Sequence, residues 1–379
     1  MSNGMLKKYY QFELGQVCSR LSSGKGIAAK EISEHGIYPV FGGNGLRGYS
    51  DKKNFEGQCA IIGRQGAFCG NVRFFSGEAY MTEHAVVVCA NEKSDIKYLS
   101  YLLGTMNLGR LSGQSAQPGL SVKTLSKQVI QLPDISEQRQ ITKVLSSFDD
   151  KIELNAQINH NLEEQAKALY DQIWDNYDSG TWSSAKAEDL FDISIGKTPP
   201  RKESQWFSEN DNDIVWVSIA DMGQSGCFIS NSSEYLTPDA VSKFNVKRVP
   251  AGAILLSFKL TVGRVAITGC ELTTNEAIAH FRMEDSTIRE YLYFYLKHFN
   301  YQTMGSTSSI ATAVNSKMVK AMRIDIPARE TLENFHSTVF PMFEQIEQNQ
   351  QEIQTLAQLR DTLLPKLMSG ELDVSEVEV

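Results

Sequence analysis

Cationic and amide side chains occur in similar surroundings at two places in this chain, about 194 residues apart. Arg64-Gln65 follows an apolar run that ends at Gly63, and Lys259 follows a comparable run that ends at Phe258. Arginine and glutamine can read guanine and adenine edges, whereas lysine and hydroxyl groups mostly contact phosphates. The predicted DNA-contacting residues are Lys25, Asn44, Arg47, Arg64, Gln65, Arg73, Gln114, Ser115, Lys123 and Lys127 in the first half and Lys197, Arg201, Lys259, Arg264, Ser306, Ser308, Ser309, Lys317 and Lys320 in the second.

Two kinds of loop carry many of these residues. The segment from Phe41 to Tyr49 is rich in glycine, which suits close approach to a phosphate backbone but equally suits an ordinary tight turn. The loops at 113–117 and 305–309 hold small hydroxyl and amide residues ahead of lysine-containing segments. Such loops can contact sugar-phosphate or simply cap the helix that follows. Their recurrence in both halves favours the DNA-binding interpretation.

No enzyme signature is found in the sequence. Gly196-Lys197-Thr198 resembles the end of a phosphate-binding loop, but the earlier glycine position is Phe191 and Pro199-Pro200 forbids the helix that must follow. There is no Gly-x-Ser-x-Gly element, and the six histidines lack metal-binding spacing. We therefore predict no catalytic residue, no metal and no cofactor on this chain.

The composition is that of a soluble globular protein, with 41% apolar and 22% charged residues. The N-terminal sequence does not look like a secretory signal, and no apolar run approaches the roughly 20 residues that span a bilayer. Six cysteines without paired spacing indicate reduced thiols. The expected location is the cytoplasm.

The net charge of −8 is unevenly distributed. Residues 1–132 carry +6 and residues 179–327 carry −1, whereas 133–178 and 328–379 carry −6 and −7. Acidity therefore lies in the segments that are predicted to be helical. The two other segments can accept an anionic ligand such as DNA.

Each acidic segment has an apolar seam with steps that alternate between three and four residues, which is the coiled-coil period. Each predicted helix has about 40 residues and is therefore roughly 60 Å long. We expect the two helices to pack on each other, because neither would be stable alone. The seam positions are Ile141, Leu145, Phe148, Ile152, Asn155, Asn159, Leu162, Ala166, Leu169 and Ile173 in the first helix and Met342, Ile346, Asn349, Ile353, Leu356, Arg360, Leu363 and Leu367 in the second.

Equivalent helices of a duplicated chain run antiparallel across a two-fold axis. Asn155 and Asn349 fall near the two helix midpoints, and a buried asparagine fixes register at some cost in stability. We predict that these two side chains lie close together at a pseudo-two-fold axis; the alternative is two solvated asparagines. The paired helices would hold the globular parts apart by a fixed distance.

The repeat also defines the predicted domains: globules at 1–132 and 179–327, long helices at 133–178 and 328–370, and an acidic tail at 371–379. Short β-branched runs bounded by glycine predict a small, mostly antiparallel sheet in each globule, followed by helical stretches near 95–107 and 286–300. The fold class is α+β. Within the repeat, Thr82-Glu83-His84-Ala85 pairs with Thr274-Asn275-Glu276-Ala277, one residue out of step.

Four segments resemble one known family. They run from Tyr38 to Gly45, from Ile61 to Val72, from Leu132 to Arg139 and from Leu359 to Glu371. Together they are similar to the specificity (S) subunit of type I restriction–modification systems, and the resemblance covers essentially the whole chain. One departure is Arg329-Glu330-Thr331-Leu332, where members of the family usually have the Gln-Arg form that the first half carries at Gln138-Arg139.

The resemblance implies two target recognition domains that each read one half of a split DNA sequence. It implies helices that set the gap and bind two modification (methyltransferase) subunits, with restriction subunits joining the full complex. AdoMet, ATP and Mg would then belong to the partner subunits. The competing hypotheses are a stand-alone duplicated DNA-binding regulator and a protein-only scaffold built on the helices.

Overall fold

The computed structural model describes residues 9–112, 119–176, 181–304 and 314–374. The chain divides into two compact units: Met1–Lys151 with Leu356–Val379, and Ile152–Thr355. The two boundaries between the units fall inside long helices, because each half of a helix packs into a different core.

The first unit is built on a six-stranded sheet with the strand order β2-β7-β5-β6-β3-β4, beside which β1 and β8 form a separate antiparallel pair. The strands are β1 (Tyr10–Glu13), β2 (Cys18–Ser23), β3 (Tyr38–Gly42), β4 (Gly45–Ser50), β5 (Phe55–Gly63), β6 (Val72–Met81), β7 (Ala85–Ala90) and β8 (Val129–Leu132), and the helices are α1 (Ile96–Thr105), α2 (Val122–Ser126) and the start of α3 (Ile135–Asp175).

Helix α1 covers the sheet of the first unit. It begins where the side chain of Asp95 accepts the N–H of Tyr98 at 2.9 Å, which satisfies one of the free N–H groups of the first turn. Its inner face buries Leu99 and Leu103 in a core that also receives Leu145 of α3 and Leu367. The long helices therefore share the core of the globule.

The second unit repeats this plan with additions. Its elements are β9 (Ser183–Lys186), α4 (Ala187–Leu190), β10 (Asp192–Ile195), β11 (Phe207–Ser208), β12 (Ile214–Val217), α5 (Ile219–Met222), β13 (Phe228–Ile229), β14 (Tyr235–Leu236), α6 (Pro238–Lys243), β15 (Ile254–Ser257), β16 (Val265–Thr268), β17 (Thr273–Thr274), β18 (Ile278–Arg282), α7 (Arg289–His298), α8 (Ser316–Ala321), β19 (Arg323–Ile326) and the larger part of α9 (Arg329–Ser369).

The strand orders confirm the repeat. The five-stranded sheet β10-β18-β15-β16-β13 matches β2-β7-β5-β6-β3 strand for strand. In both runs of five strands the last pair is parallel and the other neighbours are antiparallel. The second unit adds a four-stranded sheet, β11-β14-β12-β17, which the first unit lacks among its described residues. The predicted α+β class and the mostly antiparallel sheets are confirmed.

The two long helices are each 41 residues long, as the seam predicted. Every predicted seam position is buried or half-buried. In the second unit the contacts between them run antiparallel, because Asn155 of α3 donates to Glu352 at 2.7 Å and Asn159 accepts from Asn349 at 2.8 Å. The supercoil and the two-fold relation of the halves stay predictions.

The asparagines are buried, with 1% of Asn155 and 5% of Asn349 exposed, so the solvated alternative is wrong. Each is hydrogen-bonded to the opposite helix, but to Glu352 and Asn159 and not to the other asparagine. These bonds set the antiparallel register of the two helices, with Asn155 opposite Glu352 and Asn159 opposite Asn349. The proximity of Asn155 to Asn349 stays a prediction.

The departure at the start of the second helix has a structural explanation. In the first unit Gln138 is 1% exposed and accepts the N–H of Asp95 at 2.9 Å, which ties α3 to the start of α1. The corresponding residue of α9 is Leu332, which is buried in the apolar core of its unit. One contact is polar and the other apolar, so the two helix starts are held by different forces.

Candidate nucleic-acid interface

Backbone hydrogen bonds tie several loops of the first unit together. Gly24 donates to the carbonyl of Ala85 at 3.0 Å, and Lys25 donates to that of Met81 at 2.9 Å. A Cβ atom at Gly24 would overlap the Met81 carbonyl, so only glycine allows this approach. These two backbone bonds leave the side chain of Lys25 exposed. We name this set of loops the first loop cluster, and it comprises residues 23–25, 41–45, 63–66, 82–85 and 119–120.

Arg64 holds the first loop cluster from within. Its N–H donates to the carbonyl of His84 at 3.0 Å, and its own carbonyl accepts the N–H of Leu120 at 2.8 Å. The guanidinium Nε donates back to the Leu120 carbonyl at 3.3 Å. Arg64 is therefore half-buried and occupied with protein groups, whereas its neighbour Gln65 is exposed.

Two more cations, Arg73 and Arg47, pack against glycines of the glycine-rich segment. Gly43-Asn44 is a two-residue connection between β3 and β4, and Asn44 is exposed. Gly45 has φ +94° and lies under the guanidinium of Arg73, where a Cβ atom would be 3.0 Å from it. Both reasons for glycine, positive φ and close approach, apply at Gly45, so the turn and the binding interpretations of the segment are compatible. The side chain of Arg47 packs in the same way over Gly42.

Of two further predicted lysines, Lys123 lies on α2 and Lys127 directly follows it. The helix is capped by Ser121, whose hydroxyl accepts the N–H of Thr124 at 3.0 Å, and both Lys123 and Lys127 are exposed. A β-bridge between Gln65 and Gly119 connects the segment ahead of α2 to the first loop cluster. Five predicted contacts lie outside the described residues, namely Gln114, Ser115, Ser306, Ser308 and Ser309.

The second unit has the equivalent pair of backbone hydrogen bonds. Gly196 donates to the carbonyl of Ile278 at 3.1 Å, and Lys197 donates to that of Thr274 at 2.9 Å. A Cβ atom at Gly196 would overlap the carbonyl oxygens of residues 274 and 275. The Nζ of Lys197 donates to the carbonyl of Phe244 at 2.6 Å. We name this set the second loop cluster, and it comprises residues 196–198, 257–259, 263–264 and 274–277.

Lys259 and Arg264 have different surroundings in the second loop cluster. Phe258 donates its N–H to the carbonyl of Ala277 at 2.9 Å, as Arg64 does to His84, and the next residue, Lys259, is exposed. The guanidinium of Arg264 lies over Gly223 and donates to the carbonyl of Ile219. Lys259 is thus exposed to a ligand, with its Nζ 5.5 Å from the ring centroid of Phe258, whereas Arg264 is engaged in holding α5.

Arg201 lies in a turn ahead of β11, and its side chain packs on the added four-stranded sheet. It forms a two-pronged ion pair with Glu234, with N–O distances of 2.7 and 2.9 Å, and its guanidinium lies 4.3 and 4.6 Å from the ring centroids of Phe207 and Trp216. The hydrogen bonds that Arg201 donates to Glu234 raise the pKa of Arg201, so it stays charged. The predicted lysines on α8 differ in exposure, since Lys317 is exposed and Lys320 is half-buried.

The backbone bonds correct the sequence alignment of the repeat. Lys25 and Lys197 bond to Met81 and Thr274, and Gly24 and Gly196 bond to residues 85 and 278. Thr82 therefore corresponds to Asn275 and not to Thr274, so the pairing of Thr82–Ala85 with Thr274–Ala277 was wrong by one residue. Identity of two threonines misled the alignment, whereas the bonding pattern is the physical equivalence. The acids Glu83 and Glu276 are consequently equivalent, which the sequence comparison missed.

In the part of the chain that the structure describes, no cluster of three histidine, cysteine or acidic side chains is arranged to hold a metal. Within the same residues, no helix is both long and apolar enough to cross a membrane.

The comparison with known proteins matches the two halves of the repeat separately. The family model "Type I restriction modification DNA specificity domain" matches twice, at residues 7–164 and 179–358. The chain is 42% identical over 140 residues to the "Type I restriction enzyme EcoprrI specificity subunit" of Escherichia coli, which is 36% of this chain and 35% of that protein. It is 29% identical over 314 residues to the "Type I restriction enzyme MjaIX specificity subunit" of Methanocaldococcus jannaschii, which is 74% of this chain and 70% of that protein.

A solved structure has the same fold. The crystal structure of the type I restriction-modification system S subunit from M. genitalium superposes with a TM-score of 0.64 at 17% sequence identity. The match covers 97% of this chain and 98% of that one. At this identity the likeness establishes the fold.

Proposed function

The chain belongs to the type I restriction modification DNA specificity domain family, and on that premise we propose that it selects the DNA target of a type I restriction–modification complex. Each loop cluster would contact one half of a bipartite, asymmetric target. The observation that carries this proposal is that Gly24-Lys25 and Gly196-Lys197 make equivalent pairs of backbone hydrogen bonds, so that Lys25 and Lys197 occupy the same position in the two loop clusters.

The charge distribution supports different roles for the loop clusters and the long helices. The two segments that contain the loop clusters carry +6 and −1, whereas the two helical segments carry −6 and −7. DNA binding gains free energy from neutralised phosphates and released counterions, so DNA belongs on the loop clusters. The acidic faces of the helices would instead meet protein.

The remaining parts of the complex are proposed from the family. Two methyltransferase subunits would dock on the long helices, and restriction subunits would join the resulting core. Adenine methylation and DNA cleavage, with AdoMet, ATP and Mg, would take place on those partners. This chain would provide sequence choice without catalysis.

The test is to express the chain alone, a cognate methyltransferase alone and the two together. Each sample is purified, and methylated adenines are mapped in the host genome. We expect co-purification and methylation at one split motif, which disappears when the chain is omitted. A chain that binds a split site tightly alone and captures no methyltransferase would instead be a stand-alone regulator. DNA affinity that is absent, or that does not fall steeply with added salt, would indicate a protein scaffold.

A further inference from the structure

An acidic residue recurs at the same point of both loop clusters. Glu83 lies between Thr82, whose carbonyl accepts the N–H of Ala85 at 3.0 Å, and His84. Glu276 lies in the equivalent turn, where the carbonyl of Asn275 accepts the N–H of Ile278 at 3.3 Å. The side chains around the two turns differ, but both turns present a carboxylate.

The carboxylate of Glu83 is only partly engaged by protein. Its Oε1 is 3.2 Å from Nε2 of His84, and 44% of the side chain is exposed. Its Oε2 is shielded from water and has no hydrogen-bond partner among the described residues. An acceptor in this state costs free energy in the unbound protein, and a turn of the partly exposed side chain that brings this oxygen to a donor of a ligand would recover that cost.

Glu276 is ionised and surrounded by cations. Partial burial acts to raise its pKa, but the hydrogen bond from Thr198 and the charges of Lys259 and Arg201 bring the pKa below its ordinary value. Only one of its oxygens accepts from Thr198. The backbone N–H of Glu276 also hydrogen-bonds to the carboxylate, but the residue is exposed and a carboxylate has about four acceptor sites, so a ligand donor can still be accommodated.

A carboxylate is the wrong group for the DNA backbone, because it repels phosphates and can only accept hydrogen bonds. The donors of the major groove are the exocyclic amino groups of cytosine and adenine. Adenine presents the N7 acceptor beside its amino group, which repels a carboxylate, whereas acidic side chains accept readily from cytosine N4. Cytosine is therefore the base that fits.

We propose that Glu83 and Glu276 are specificity-determining residues that each accept a hydrogen bond from the N4 amino group of a cytosine, one in each half of the target. This inference rests on the proposed function. It requires at least one fixed C·G pair in each half-site.

The experiment uses the complex of the full chain with its methyltransferase and measures target preference on duplexes randomised at each position. Glu83→Gln and Glu276→Gln are compared with wild type. We expect each to reduce the preference for C·G by about 5- to 50-fold at one position of one half-site, because glutamine reads adenine instead, and to leave the other half-site unchanged. A wild-type half-site without a fixed C·G pair refutes the inference.

Matched controls separate base reading from a general loss of acid. Glu78→Gln and Glu271→Gln make the same change at exposed acids paired with Lys53 and Arg248, and we expect unaltered preference. Binding that weakens equally on all sequences in Glu83→Gln or Glu276→Gln would overturn the inference. A wild-type complex that recognises no bipartite motif would instead refute the proposed function.

A third variant distinguishes reading from structural support. Thr198→Val removes the hydroxyl that donates to Glu276 but keeps the carboxylate. We expect unchanged base preference and an unchanged circular dichroism spectrum. If Thr198→Val shifts the preference in the same way as Glu276→Gln, the role of Glu276 is to shape the loop, and the inference fails.

Discussion

Gln350 of α9 closes the free edge of the five-stranded sheet in the second unit. Among the described residues, strand β13 pairs with β16 on one side and with no strand on the other. On its other side the amide of Gln350 accepts the N–H of Phe228 at 3.0 Å and donates to the carbonyl of the same residue at 3.1 Å. Replacing Gln350 with alanine should therefore leave two backbone groups of a strand without partners.

The size of the effect follows from those two bonds. Each neutral hydrogen bond contributes about 0.5–1.5 kcal/mol net, so the pair contributes about 1–3 kcal/mol. Phe228 is 5% exposed, which limits replacement by water and favours the upper part of that range. For a unit of this size, a loss of about 2 kcal/mol lowers Tm by roughly 4–8 °C.

Urea unfolding followed by tryptophan fluorescence is the appropriate assay, because all four tryptophans lie in the second unit. Gln351→Ala is the matched control, since this neighbour is exposed and the same atoms are removed. The explanation is refuted if Gln350→Ala and Gln351→Ala unfold within about 0.5 kcal/mol of each other, the range of ordinary surface substitutions.

Four further predictions follow from other contacts. Burial, with a smaller contribution from Arg282, lowers the pKa of His280 to about 3. Between pH about 6.5 and about 3 the unfolded chain therefore binds a proton that the folded chain excludes. The free energy of unfolding of the second unit should fall from pH 7 to 4, and should fall less in His280→Gln, by the same fluorescence assay. Lys25→Ala should weaken binding to all DNA sequences and reduce the slope of log affinity against log salt by about 0.9, with base preference unchanged in a salt titration. Asn349→Ala should cost about 1–3 kcal/mol in urea unfolding through loss of its bonds to Asn159 and Gln345. Inserting one turn in both long helices should lengthen the spacer of the methylated motif and leave both half-sites unchanged; altered half-sites would contradict the spacer role.

The long-range plan of this fold was readable from the sequence because hydrophobic periodicity reports burial directly. The seam of α3 correctly placed Leu145 in the core, and it placed Asn155 at a buried position. Short apolar runs bounded by glycine gave strands β5, β7, β15 and β16. Both signals are local, and each depends on which face of one element is covered.

The added sheet of the second unit was not foreseen. Its strands β11, β14 and β17 are two residues long, too short for a period to be detected. The interaction of Gln350 with Phe228 was also invisible, because an amide on a helix surface looks like any solvated glutamine until the strand beside it is known. Contacts between side chains and a distant backbone carry no sequence period.

The repeated backbone frame changes how the predicted contacts should be divided. Arg64 and Phe258 occupy the same place, each donating its N–H to the equivalent carbonyl, and both side chains serve the protein: the guanidinium bonds to Leu120, and the ring is 1% exposed. An arginine at this position is therefore a support and a poor candidate for base reading. The next residue is exposed in both halves, glutamine at 65 and lysine at 259. Because the frame is equal and these exposed side chains differ, the same loop can offer an adenine-reading amide in one half and a phosphate-binding cation in the other.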